Sequence, residues 1–94
     1  LEKHRKAVLA RISGRVQGVS FRAWALREAE GLGLTGWVRN EPDGSVTALL
    51  VGSEPAVAAM IGKLRKGPRG AAVSRVAVED VEAGETPVRF SITG

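Results

Sequence analysis

The sequence has no cysteine, no tyrosine and only one histidine among its 94 residues. Without cysteine there is no disulfide, no thiolate metal site and no sulfur nucleophile. One histidine cannot make the multi-histidine set that holds a catalytic metal. That residue, His4, lies in the charged opening Leu1-Glu2-Lys3-His4-Arg5-Lys6 and reads as a solvated terminal side chain. Aromatics are scarce as well: Phe21, Trp24, Trp37 and Phe90 are the full set. No run approaches the roughly 20 apolar residues of a bilayer span. No charged–apolar–small leader pattern opens the chain. A cytoplasmic protein, with no membrane partner, is the expectation.

What remains is enough for a core. The length suits one domain spanning residues 1–94, with residues 1–6 as a charged N-terminal extension. A hydrophobic content of 44% suits a chain that must fold without staples. The 14 Lys and Arg outnumber the 10 Asp and Glu, for a net charge of +4. Such a field attracts anions without choosing among nucleic acid, acidic lipid and small phosphorylated metabolites.

Patterning then orders the chain. Val8, Ala10 and Ile12 alternate with Leu9, Arg11 and Ser13, which predicts a strand over Ala7–Ser13. Phe21, Ala25, Ala29 and Leu32 recur at helical spacing, with Ser20 as N-cap and Gly33 as the stop. Leu34 to Asn40 and Ser45 to Val51 read as strands joined at Glu41-Pro42-Asp43-Gly44, a turn rich in the residues turns need. Ser53 and Pro55 open a second helix whose stripe is Val57, Met60, Ile61 and Leu64. Lys63, Arg65 and Lys66 suit its last turn, and Gly67-Pro68 ends it. Val73, Val76 and Val78 mark a fourth strand, and Ala83-Gly84-Glu85-Thr86-Pro87 a turn. Val88, Phe90 and Ile92 then alternate to the end. This order predicts an α+β, ferredoxin-like βαββαβ sandwich: an antiparallel sheet of about four or five strands with both helices on one face.

The segment Gly14-Arg15-Val16-Gln17-Gly18-Val19-Ser20 joins the first strand to the first helix. A two-glycine loop lets main-chain N–H groups converge, and the helix start adds its own unpaired N–H groups and partial positive charge. Phosphate is the natural occupant. Arg22 falls in the first turn of that helix, where a cation opposes the dipole by roughly 0.3–1 kcal/mol. An anion between them removes the conflict; an arginine pointing into solvent is the alternative. Arg15, within the loop, offers a second charge. The loop lacks the Gly-Lys-Ser/Thr ending of a nucleotide P-loop and the spacing of a dinucleotide fingerprint. Asn40 ends a strand that runs near the first. Its amide accepts from water and donates to a phosphate oxygen, or else it merely initiates the turn that follows.

Gly14-Arg15-Val16-Gln17-Gly18-Val19-Ser20-Phe21-Arg22 resembles the phosphate-cradle signature of the acylphosphatase family. Gly36-Trp37-Val38-Arg39-Asn40, followed by Asp43-Gly44-Ser45-Val46, resembles that family's second signature. Leu32-Gly33-Leu34-Thr35 and Lys66-Gly67-Pro68 are similar too, so the likeness runs from about Ala7 to Ile92. It departs at Thr93-Gly94, where many members carry an aromatic. The resemblance implies hydrolysis of acyl phosphates to a carboxylate and inorganic phosphate, with no cofactor and no metal. It implies Arg22 and Asn40 as the catalytic pair, with Arg15, Val16, Gln17, Gly18, Val19 and Ser20 around the phosphate. A small acyl phosphate is then the partner, with a phosphate or sulfate ion as an alternative occupant of the site, and the chain a monomer.

The residues present suit that chemistry. The leaving carboxylate has a conjugate acid of pKa about 4–5, so no general acid is required. Phosphoryl transfer rests on positioning and charge stabilisation, which N–H groups and an arginine supply. Two other readings use the same fold. A nucleic-acid-binding module would stack bases on sheet aromatics, and the first and third strands have none. An accessory domain of a carbamoyl-transferring enzyme would be followed by cysteine-rich segments, which do not occur here.

Overall fold

In the computed structural model, residues 5–82 and 84–94 are described; the reading of His4 and part of the turn read at Ala83 lie outside them. Seven elements follow in order: β1 (Arg5–Arg15), α1 (Phe21–Gly31), β2 (Thr35–Asn40), β3 (Val46–Ser53), α2 (Glu54–Lys66), β4 (Ala72–Asp80) and β5 (Phe90–Ile92). The first strand starts at Arg5 rather than Ala7, because Arg5 and Lys6 pair with Ser53 and Gly52 at the far end of β3.

The sheet order is β4-β1-β3-β2-β5. The first four strands are antiparallel neighbours, which is the ferredoxin-like arrangement. The fifth corrects the expectation of a wholly antiparallel sheet: β5 runs parallel to β2, pairing Gly36 with Phe90 and Val38 with Ile92. Alternation reports which face a side chain takes, not the direction of the neighbour, so the sequence carried no sign of this. Val88 does not join the strand and is 88% exposed.

One face of the sheet carries the core. Val8, Ala10, Ile12, Val38, Val46, Ala48 and Leu50 point toward the helices and pack with Phe21, Ala25, Ala29, Val57, Met60 and Leu64. Both helices lie on that face and touch each other. Ser53 caps α2 through its hydroxyl, which accepts from the Ala56 N–H at 3.2 Å. The end of α1 closes with Leu34 N–H on the Ala29 carbonyl and Gly33 N–H on that of Glu30, the double bond of a left-handed glycine cap. On the open face Arg39 lies over the Trp37 ring, 4.7 Å from its centroid. Among the described residues no helix is long and apolar enough to cross a membrane.

Candidate functional site

A cavity of about 440 Å³ lies where the β1–α1 loop meets the end of β2, lined by Val16, Gln17, Gly18, Ser20, Phe21, Arg22, Ala23, Asn40 and Ile92. The two residues singled out as reactive, Arg22 and Asn40, thus share one cavity although they sit on different elements. The topology accounts for it. Strand β3 lies between β1 and β2, and α1 carries the chain from the end of β1 across the core face to the start of β2. Its first turn and the last residue of β2 therefore meet at one end of the sheet.

The loop is built to leave N–H groups free. Gly18 takes φ +75° and Ser20 φ +62°, both in the left-handed region that turns successive amides toward a common point. Ser20 is the only non-glycine residue of the described chain with positive φ. A serine at this position was expected to cap α1, yet its side chain makes no capping bond. Among the described residues, no N–H from Val16 to Ser20 donates to a main-chain oxygen, and the first that does is Trp24, on the Ser20 carbonyl. The start of α1 also lacks acidic residues in its first turn. Unpaired N–H groups, a helix start and an adjacent guanidinium are the features that suit an anion.

Two groups around the cavity are fixed by hydrogen bonds. Arg22 Nη1 donates to the Gly94 carbonyl oxygen, so the guanidinium is tethered to the segment after β5. Gln17 Nε2 donates to the carbonyl oxygens of Glu41 and Ser45, at 2.9 Å each. The cradle loop is thereby tied to the turn that begins just past Asn40. That turn has its own bonds: Asp43 accepts from the Ser45 N–H and hydroxyl, and Glu41 accepts from Arg39 and Thr47. Hydrogen bonds from Arg39, then Thr47, hold the Glu41 carboxyl below its ordinary range. Those from Ser45 do the same for Asp43.

Asn40 differs from all of these. Its Oδ1 is buried and accepts no hydrogen bond. A buried acceptor without a donor costs roughly 1–3 kcal/mol, which the fold retains at the edge of the anion cavity. Asn40 also lines the cavity, where an amide oxygen can accept a hydrogen bond from water.

The other loop residues divide. Val16, Gln17, Gly18 and Ser20 line the cavity, whereas Val19 packs against the core and Arg15 ends β1 opposite Ala72, exposed and outside the lining. Two features of the site were not expected from the sequence. Ile92 lines the cavity, and Gln17 acts through its side chain as well as its position. A parallel pairing to β2 and acceptors 24 and 28 residues away left no local signal for either. Among the described residues, no three His, Cys, Asp or Glu side chains gather as metal ligands would.

A family model described as Acylphosphatase matches residues 8–92. The chain belongs to the acylphosphatase family. It is 58% identical over 92 residues to an acylphosphatase of Mesorhizobium japonicum, covering 98% of both chains. It is 55% identical over 94 residues to one of Rhizobium etli, covering each chain fully. Among solved structures, an acylphosphatase from Coxiella burnetii superposes with a TM-score of 0.93 at 36% identity, covering 98% of this chain and 96% of that one. These acylphosphatase relatives match the chain nearly end to end, with its sheet and its loop, and do not favour a nucleic-acid-binding module. The open sheet face agrees, since Trp37, which lies there, is already covered by Arg39.

Proposed function

We propose that the cavity binds the phosphate of an acyl phosphate and that Arg22 and Asn40 carry its hydrolysis. The enzyme is an acylphosphatase; it converts the carboxyl–phosphate anhydride to a carboxylate and inorganic phosphate. The observation that carries the assignment of roles is that one cavity is lined by loop residues whose N–H groups make no main-chain bond, by Arg22 and by Asn40, whose buried Oδ1 has no partner.

In this scheme the loop N–H groups and the Arg22 fork hold the phosphoryl oxygens, on which negative charge is concentrated throughout. Asn40 Oδ1 accepts from a water and fixes its oxygen for in-line attack on phosphorus. As the new P–O bond forms, the bond to the acyl oxygen breaks and its electron pair leaves with the carboxylate. The water's proton passes to a phosphate oxygen, so no protein base is consumed. No metal takes part in these steps, and EDTA is expected to leave the rate unchanged. A monomer is part of the proposal, as suits one small domain; gel filtration tests it. A cytoplasmic location belongs to it too, and cell fractionation tests that.

The deciding experiment is hydrolysis of benzoyl phosphate by the purified chain and by its Arg22→Ala and Asn40→Ala variants. Arg22→Ala is expected to lose turnover and phosphate inhibition together, Asn40→Ala turnover alone. Full activity in Arg22→Ala would refute the assignment.

A further inference from the structure

A phosphate does not fill the cavity. Its five heavy atoms take about 150 Å³ at most, at about 30 Å³ for each water-sized centre, against about 440 Å³ available. The rest must receive the other half of the substrate or stay wet. Most of the polar lining is committed in the proposed function: Gln17 to the turn, Arg22 and the loop amides to the anion, Asn40 to water; the Ser20 hydroxyl alone has no assigned partner. Val16 and Phe21 also line the space, but they are 0% and 2% exposed and present little surface, and half-buried Ala23 offers only a methyl group.

Ile92 is the exception. It is 42% exposed, one of three large apolar side chains left open among the described residues. The other two, Val78 and Val88, do not line this cavity. Its parallel register opposite Val38 gives it the same face of the sheet. Val38 is wholly buried there, while Ile92, one strand further out, emerges at the cavity. A branched apolar side chain contributes nothing to a dianion. It contributes to an apolar group attached to one, by excluding water from both surfaces.

We propose that Ile92 is the specificity-determining residue for the acyl half, a shelf that selects acyl phosphates with a broad apolar group over acetyl phosphate. The proposal rests on the assignment of the phosphate to the Arg22 end of the cavity. An acetyl methyl is too small to cover the Ile92 side chain, whereas a phenyl ring covers it while the phosphate stays in the loop. Preference for the larger substrate therefore depends on this one contact.

The test compares kcat/KM for benzoyl phosphate and for acetyl phosphate in the full chain, in Ile92→Ala and in Ile92→Thr. The second variant keeps the β-branch that a strand favours. The ratio of the two kcat/KM values is expected to fall about tenfold in both variants. Competitive inhibition by inorganic phosphate is expected to persist at the strength seen in the unaltered chain. A ratio that stays within about twofold, or equal losses on both substrates, would overturn the proposal and assign Ile92 to the sheet edge alone. Such a result leaves the roles of Arg22 and Asn40 standing. If the unaltered chain hydrolyses neither substrate, those roles fall and the shelf falls with them.

Discussion

Gln17 donates both of its amide hydrogen bonds into the β2–β3 turn, and one of the two acceptors is the carbonyl oxygen of Glu41, the residue that follows Asn40. The loop proposed to hold phosphate and the residue proposed to hold water are therefore not two independent features that happen to adjoin. A single carboxamide fixes their separation. Replacing it with leucine leaves the side chain near its old volume and removes both donors. Gln17→Leu is expected to lower kcat about tenfold, with a much smaller change in KM, because Asn40 loses its register while the anion site remains. Two lost hydrogen bonds also lower stability by about 1–3 kcal/mol. Steady-state kinetics beside urea unfolding check both, and a fall confined to KM would count against a positioning role.

Most of the fold was legible because it is written in short-range pattern. Alternation at Val8, Ala10 and Ile12 and the helical spacing of Phe21, Ala25 and Ala29 each state a buried face. The caps divide. Ser53 was legible and bonds as a cap should, whereas Ser20 occupies the same kind of position with a left-handed backbone and no bond. Local propensity favours capping at both sites, and the loop geometry overrides it at the one beside the cavity. The direction of β5, the reach of Gln17 and the placing of Ile92 all depend on residues distant in sequence. Asn40 was readable as turn initiator or as water ligand. Only its burial without a donor favours the second.

Acid is expected to loosen the turn beside Asn40. Glu41 and Asp43 both have carboxyls held below their ordinary values of 4.5 and 3.8, by hydrogen bonds from Arg39 and Thr47 and from Ser45. A carboxyl whose folded value is lowered stabilises the fold above its unfolded value, and loses that contribution as pH falls through the folded one. Urea midpoints are therefore expected to be flat above about pH 5 and to fall below it, beginning near the ordinary carboxylate range. Glu41→Gln should show a shallower fall than the unaltered chain. An identical acid profile in that variant would remove Glu41 from the account.

A substitution far from the cavity separates stability from chemistry. Leu64 is wholly buried in the stripe of α2, within the cluster that joins the helices to the sheet. Leu64→Ala is expected to cost about 2–5 kcal/mol through lost burial and the cavity it leaves. For a chain of this size each kcal/mol lowers the midpoint of thermal unfolding by about 4–8 °C. Well below that midpoint, KM and kcat are expected to stay close to those of the unaltered chain. Calorimetry and an assay at low temperature check the separation.

The two reactive side chains call for different conservative replacements. Arg22→Lys keeps the charge but not the planar fork, so two parallel bonds to phosphate become one contact with a point charge. A loss of about a hundredfold in kcat/KM is expected, the scale of removing one preorganised donor. Asn40→Asp keeps the shape and the acceptor oxygen, so water could still be held, but it sets a second negative charge beside the phosphate. Repulsion between like charges then weakens the binding of inorganic phosphate as well as turnover, whereas Asn40→Ala, which adds no charge, loses turnover with phosphate binding retained. Isothermal titration with inorganic phosphate distinguishes the two. Equal phosphate affinity in Asn40→Asp and Asn40→Ala would place the side chain too far from the anion to orient a water against it.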